Sequence, residues 1–389
     1  MVSVLMFAAR TQWNLASNRL AKTLEEVRAR GGEVLDLTAS NPTECGFQYD
    51  GASILKALIT PAVLKYHPDP RGLRPARQAV KDYYEQRGEQ VSVEDLILTT
   101  STSEAYSFVF RLLCNPGDEL LVPTPSYPLF DFLADIQDVK LLRYPLIYDH
   151  GWQIDFHALE SAITPRTRAV IVVHPNNPTG HFTKTEERSK LNQLCAAHDL
   201  AIIADEVFLD FPLNGKPCSS FTQNHSVLSF TMSGISKISG LPQMKLAWLA
   251  VNGPDKQKTE ALARLEVVAD TFLSMNAAIQ AAAPTFLAQR HGFQQQFMAR
   301  VRNNLAELDK QLSEQKSCTR LEIEGGWYAV VRVPAMRSDE ELALELLDEG
   351  VYVHPGHFYD FPGDGYLVVS LISKERAFSE GIEKLLAHF

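Results

Sequence analysis

VLSFTMSGISKISGLPQMKLAW, residues 227–248, is the stretch whose reading decides the fold. Val227–Met232 is mostly apolar and reads as a buried strand, followed by a small polar loop, Ser233, Gly234, Ile235 and Ser236, and then by Lys237. Gly240 and Pro242 come directly after, so the chain must turn there. Lys245 lies eight residues beyond Lys237, and LAWLAV resumes strand character. A lysine on the turn after a buried strand is partly desolvated. Desolvation disfavours the ammonium form, lowers its pKa and frees the lone pair for attack on a carbonyl. An ordinary loop lysine is the commoner reading of such a residue taken alone, so its surroundings decide.

Working outward, a rhythm runs from Leu96 to Val251. Short apolar runs (DLILTT, ELLVP, AVIVVH, LAIIAD and VLSFT) alternate with helical patterns such as EAYSFVFRLL and ERSKLNQLCAAHD. That alternation predicts βαβ units and a parallel, doubly wound sheet. Ligands of such sheets sit beyond the carboxyl ends of the strands, so the polar residues after each run are the ones to read. Ser101, Thr102, Ser103 and Glu104 open a helix. Free N–H groups and the positive dipole end suit phosphate there, and Ser101 with Glu104 also spells a capping box. Tyr127 follows ELLVP, HPNNPTG (174–180) follows AVIVV, and Asp205 closes LAIIA. An aspartate at the end of a buried run is costly unless paired with a cation.

These stretches together resemble the class I/II aminotransferases, the fold-type-I pyridoxal-phosphate enzymes. S-G-x-S-K with G-L-P and a cation eight residues on matches their lysine region, N-N-P-T-G and D-E-V their other two signatures. The resemblance covers residue 33 to the end. It implies an α/β fold with a large, mostly parallel doubly wound sheet and a smaller α+β domain built from both termini. The expected division is 1–45 as arm and part of the small domain, 46–280 as the large domain and 281–389 as the rest of the small one. It implies pyridoxal 5'-phosphate on Lys237 as a Schiff base, Asp205 against the pyridine nitrogen so that the ring can draw electrons from the substrate, and Asn177 at the 3′-oxygen. Ser101, Thr102, Ser103, Ser236 and Lys245 would hold the phosphate end, Tyr127 would stack on the ring, and Tyr66 would reach the neighbouring subunit's phosphate in a homodimer. Lys237, once released, would shuttle the proton between Cα and C4′.

Departures from the family's pattern carry as much information. Phe208 stands where a tyrosine normally donates to the 3′-oxygen. Lys245 replaces an arginine and loses bidentate geometry. His174 replaces the first asparagine of the N-P-x-N-P motif and reads as structural. In GYLVVSL the arginine that clamps the substrate carboxylate is replaced by Val368. Arg71, in a Pro-bounded loop, and Arg10 and Arg332 are the candidate replacements, with Ser40 and Asn41 as further substrate contacts. The gap keeps a lyase, cyclase or decarboxylase-type enzyme on a modified amine as an alternative to transfer. A non-catalytic sensor of the same fold is the third.

Composition bounds the rest. At 389 residues two domains are expected. Thirty-seven basic against 47 acidic residues, a net charge of -10 with no basic cluster, disfavour nucleic acid and anionic membrane as partners. Five scattered cysteines without CxxC spacing suit neither a disulfide framework nor zinc and fit a reducing cytoplasm. The opening MVSVLMFAAR is too short an apolar run for a signal peptide, no run approaches a bilayer span, and no metal site is expected.

Overall fold

The computed structural model describes residues 6–128, 130–213, 215 and 218–389; the first five residues of MVSVLMFAAR lie outside them. After a short strand, β1 (Leu35–Asp36), come β2 (Leu96–Thr99), β3 (Glu119–Thr124), β4 (Lys140–Tyr148), β5 (Trp152–Ile154), β6 (Thr167–Val173), β7 (Ala201–Asp205), β8 (Ser229–Gly234) and β9 (Ala247–Asn252). β2 to β9 form one eight-stranded sheet in the order β2-β9-β8-β7-β6-β3-β4-β5. β3, β4, β6, β7 and β8 pair in parallel. β9 runs antiparallel to both β8 and β2, so β2 points the same way as β8.

The sheet is buried on both faces, which is why its strands read as unbroken apolar runs. Along β6, Ala169, Ile171 and Val173 pack on one face and Val170 and Val172 on the other. β4 and β5 escape the sequence reading for a physical reason. β4 carries Pro145, exposes half its residues, and forms with β5 the sheet's edge hairpin; such edges carry weak apolar patterning.

A second sheet comes from the C-terminal part: β10 (Thr319–Arg320), β11 (Tyr328–Arg332), β13 (His354–Pro355) and β14 (Tyr366–Ser370), while β12 (Val351–Tyr352) pairs in parallel with β1. The N-terminal segment therefore packs with the C-terminal one. Among the described residues no helix is long and apolar enough to cross a membrane.

The loop after β8 differs from the sequence reading. The strand continues through Ser233 to Gly234, and Ile235–Ile238 form a single helical turn. The turn is pinned from outside. Tyr49 donates its hydroxyl to the Gly240 carbonyl (3.0 Å) and Gln294 its amide to the Ile238 carbonyl (3.0 Å). Gly240 takes φ +63°, and a Cβ there would stand 2.4 Å from the Phe293 ring, so both its backbone and its surroundings require glycine.

Candidate active site

The carboxyl ends of β2, β3, β6, β7 and β8 lie on one edge of the large sheet, and each delivers a different group there. The helix Thr102–Leu113 begins just past β2. Ser101 caps it, its hydroxyl accepting from Glu104 N at 3.1 Å. The box is only half made, because Glu104 turns its carboxylate to the N–H (2.7 Å) and hydroxyl (3.0 Å) of Thr100. Thr102 and Ser103 stand in the first turn of that helix. Lys245 follows a 3₁₀ turn with left-handed backbone (φ 52°). It is exposed, with no carboxylate within ion-pair distance among the described residues. A helix start and a free ammonium together suit a phosphate group.

Asp205 is gripped on both oxygens: Val207 N donates to Oδ1 at 3.1 Å and the Tyr106 hydroxyl to Oδ2 at 3.0 Å. Burial pushes its pKa up, opposed by these two hydrogen bonds and by the nearby charge of Lys237. Tyr106 is itself buried. It lies one turn beyond Thr102 on the same helix face; that spacing was its available sequence signal, and the sequence reading missed it.

Lys237 is walled by aromatic rings. Its Nζ lies 4.4 Å from the Trp327 centroid and 5.7 Å from that of Phe208, and those two rings pack edge to face at 4.7 Å. Two effects compete here, since ring faces attract an ammonium while exclusion of water penalises it. Burial wins: the pKa falls to about 8, with Asp205 resisting. Trp327 lies outside every motif read from the sequence and joins the site only through the fold.

Tyr127 is 45% exposed and feels the charge of Asp205, so its ring flanks the site. Asn177 is buried with Oδ1 unpartnered. A buried amide without a partner fits a ligand contact. His174 is neutral, its pKa driven far down by burial. Its Nδ1 accepts from Thr183 N at 3.0 Å, as a structural residue would. Ser236 flanks Lys237 on the helical turn. Tyr66 is 73% exposed on the outer surface, away from this cluster in its own chain.

The candidate acid-binding arginines do not come here. Arg71 is tied to Glu266 (Nε to Oε2, 2.8 Å) and to the Glu94 carbonyl (2.9 Å), so it clamps a helix to a loop. Arg10 pairs with Asp138 on the surface. Arg332 is exposed at the end of β11 farthest from Trp327. Asn41 spends its side chain on Thr43, accepting from N and Oγ1, and Ser40 is exposed. Val368 is fully buried, paired with Val330 and His354. Its neighbours Leu367 and Val369 are buried as well, so neither face of β14 presents a cation.

A buried low-pKa lysine, a carboxylate held for a cation, a phosphate-ready helix start and an unpartnered asparagine fit pyridoxal phosphate. Residues 33–377 match the family "aminotransferase class I and II". The chain is 29% identical over 373 residues to the glutamate-pyruvate aminotransferase AlaA of Escherichia coli K12, covering 90% of this chain and 88% of that protein. It is 27% identical over 370 residues to an alanine aminotransferase of Mycobacterium tuberculosis, covering 92% and 86%. Among solved structures, an aminotransferase from Escherichia coli superposes with a TM-score of 0.87 at 25% identity, covering 99% of this chain and 98% of that one. The alanine aminotransferase of Pyrococcus furiosus, at 23% identity, reaches 0.89 over 98% and 99% and shares the fold. The chain belongs to the class I and II aminotransferases and is a pyridoxal-phosphate-dependent transaminase.

Phe208 yields a direct prediction. The Phe208 ring, 5.7 Å from Lys237 Nζ, would offer the lysine–cofactor linkage no hydroxyl, and its protonated form would then persist to higher pH. Phe208→Tyr is expected to move the midpoint of the cofactor's visible pH titration down by about one unit, the size of one hydrogen bond. An unmoved midpoint counts against this placement of Phe208.

Proposed function

We propose that this enzyme moves an amino group between an amino acid and a 2-oxo acid by dividing the work among the five strand ends. The observation that carries the division is the Lys237 amine, buried against Trp327 and opposed by Asp205. When bound, the cofactor supplies an aldehyde to carry the nitrogen and a ring that withdraws electrons from the substrate Cα. Asp205, held by Tyr106 and Val207, would as a carboxylate keep a proton on the ring nitrogen. Ser101, Thr102, Ser103, Ser236 and Lys245 take the phosphate, Tyr127 covers the ring face and Asn177 holds the 3′-oxygen. Lys237 Nζ, whose pKa burial lowers to about 8, would in its neutral form take the proton from Cα and return it at C4′. Trp327 and Phe208 exclude water around that amine.

The division 1–45, 46–280 and 281–389 is proposed with the same reading. So is a cytoplasmic homodimer, in which the exposed Tyr66 would serve the partner's phosphate. The names of the relatives make L-alanine, L-glutamate and pyruvate the first substrates to try. In the decisive experiment the holoenzyme is mixed with each donor and its visible spectrum followed. Transfer requires conversion to the cofactor's amino form and its reversal by a 2-oxo acid. Product formed without that conversion refutes transfer.

A further inference from the structure

Beyond Trp327, which covers Lys237, lies a group of phenol rings. Tyr328 follows Trp327 directly in the sequence. The Tyr328 ring lies 6.1 Å from that of Trp327 and 6.3 Å from that of Tyr359, centroid to centroid, and on β11 it shares a face with Val330, the partner of Val368. Behind these rings His354 is neutral, since burial pushes its pKa down to about 4, and its Nδ1 meets the Tyr359 hydroxyl at 3.0 Å. Two arginines come near this group and both are engaged. Arg143 bridges Asp131 and Asp360, and Arg300 lies against the carbonyls of Cys45, Ile372 and Ser373 with Glu375 at 3.6 Å.

The group does hold an unused donor. Three other buried tyrosines donate their hydroxyl protons, Tyr83 to Asp210, Tyr106 to Asp205 and Tyr144 to the Ile171 carbonyl, whereas Tyr84, deep in the core, only accepts from the Trp248 indole. The Tyr328 hydroxyl has no acceptor among the described residues, although the ring is only 7% exposed. The Trp327 indole N–H beside it, itself unpartnered, is a donor only. A phenol proton without a protein acceptor, on the residue that follows the ring covering Lys237, can donate to an anion.

We propose that the Tyr328 hydroxyl binds the substrate carboxylate, so that a neutral phenol anchors the acid group in place of a guanidinium. This rests on the transaminase reading of the site, which supplies amino and 2-oxo acids as the ligands. A neutral donor to a charged acceptor contributes about 1.5–3 kcal/mol, less than a bidentate arginine, so affinity for the acid group is modest. Burial pushes the Tyr328 hydroxyl up to about 12, so the donor keeps its proton throughout the working pH range.

The test compares wild-type holoenzyme with Tyr328→Phe, using the unreactive monocarboxylates benzoate and propanoate as probes and tryptophan fluorescence, to which Trp327 contributes, as the readout. Wild type is expected to bind them saturably, and Tyr328→Phe to bind them at least about tenfold more weakly, from the hydrogen-bond range above. The KM values for an amino donor and for its 2-oxo acid acceptor should rise alike, with kcat, visible spectrum and Tm nearly unchanged. Saturable binding that survives unweakened in Tyr328→Phe overturns the inference, and so does the absence of any saturable signal in wild type. Failure of the transaminase reading looks different, because the wild-type spectrum then stays unconverted by every amino donor.

Discussion

Lys237→Ala is expected to lose at least about 10⁴-fold in turnover, the upper reach of what one positioned acid–base group contributes. It should also hold the cofactor without a covalent bond, so that dialysis strips it. Both losses come from one atom. In the proposed reading Nζ is the nucleophile toward the cofactor's aldehyde and, once displaced by substrate, the base that takes the Cα proton. Its surroundings fit both tasks, with Trp327 and Phe208 keeping water away and the pKa held at about 8. The pH dependence has a fixed sign. Below about 8 the amine of the apoenzyme is increasingly ammonium and has no lone pair, and above it the amine is neutral. The rate at which apoenzyme captures added cofactor should therefore rise with pH below about 8 and level off above it. Lys237→Arg, charged at every accessible pH, should capture none. Retention of a covalently held chromophore by Lys237→Ala would refute the assignment.

What could be read from the sequence follows from the sheet. Strands buried on both faces appear as apolar runs, so their ends and the residues standing there (hydroxyls, Tyr127, Asn177, Asp205, Lys237) can be located from sequence. The structure brings all five ends to one edge. What could not be read depends on contacts between distant residues. Arg71 looks available in its loop, and only the folding of Glu266 onto it, 195 residues on, shows that it is not. Trp327 and Phe208 share no motif, yet they meet edge to face over the lysine. The loss of the carboxylate arginine was visible at Val368. Its proposed replacement was not, because an unpaired hydroxyl at Tyr328 is recognisable only when every neighbour is in place.

Asp205→Asn is expected to cost about 10²–10³-fold in kcat, the usual loss when one preorganised charge or donor is removed from a reacting centre. The substitution preserves shape, which makes it informative. The amide oxygen can still accept from Val207 N, and the Tyr106 hydroxyl can rotate to accept from the new NH₂. The protein should therefore fold and retain cofactor through Lys237 while losing the charge that keeps the ring nitrogen protonated. Tyr106→Phe probes the same contact from the other side. It removes one of the two donors that hold the carboxylate's pKa down against burial, so the carboxyl becomes harder to ionise. The acid limb of kcat should then move to higher pH, with a smaller loss than in Asp205→Asn and near-full activity recovered at alkaline pH. A purely structural tyrosine would lower Tm and leave that limb in place. If Tyr106→Phe has an unshifted limb and Asp205→Asn has wild-type turnover, the carboxylate is not opposite the ring nitrogen.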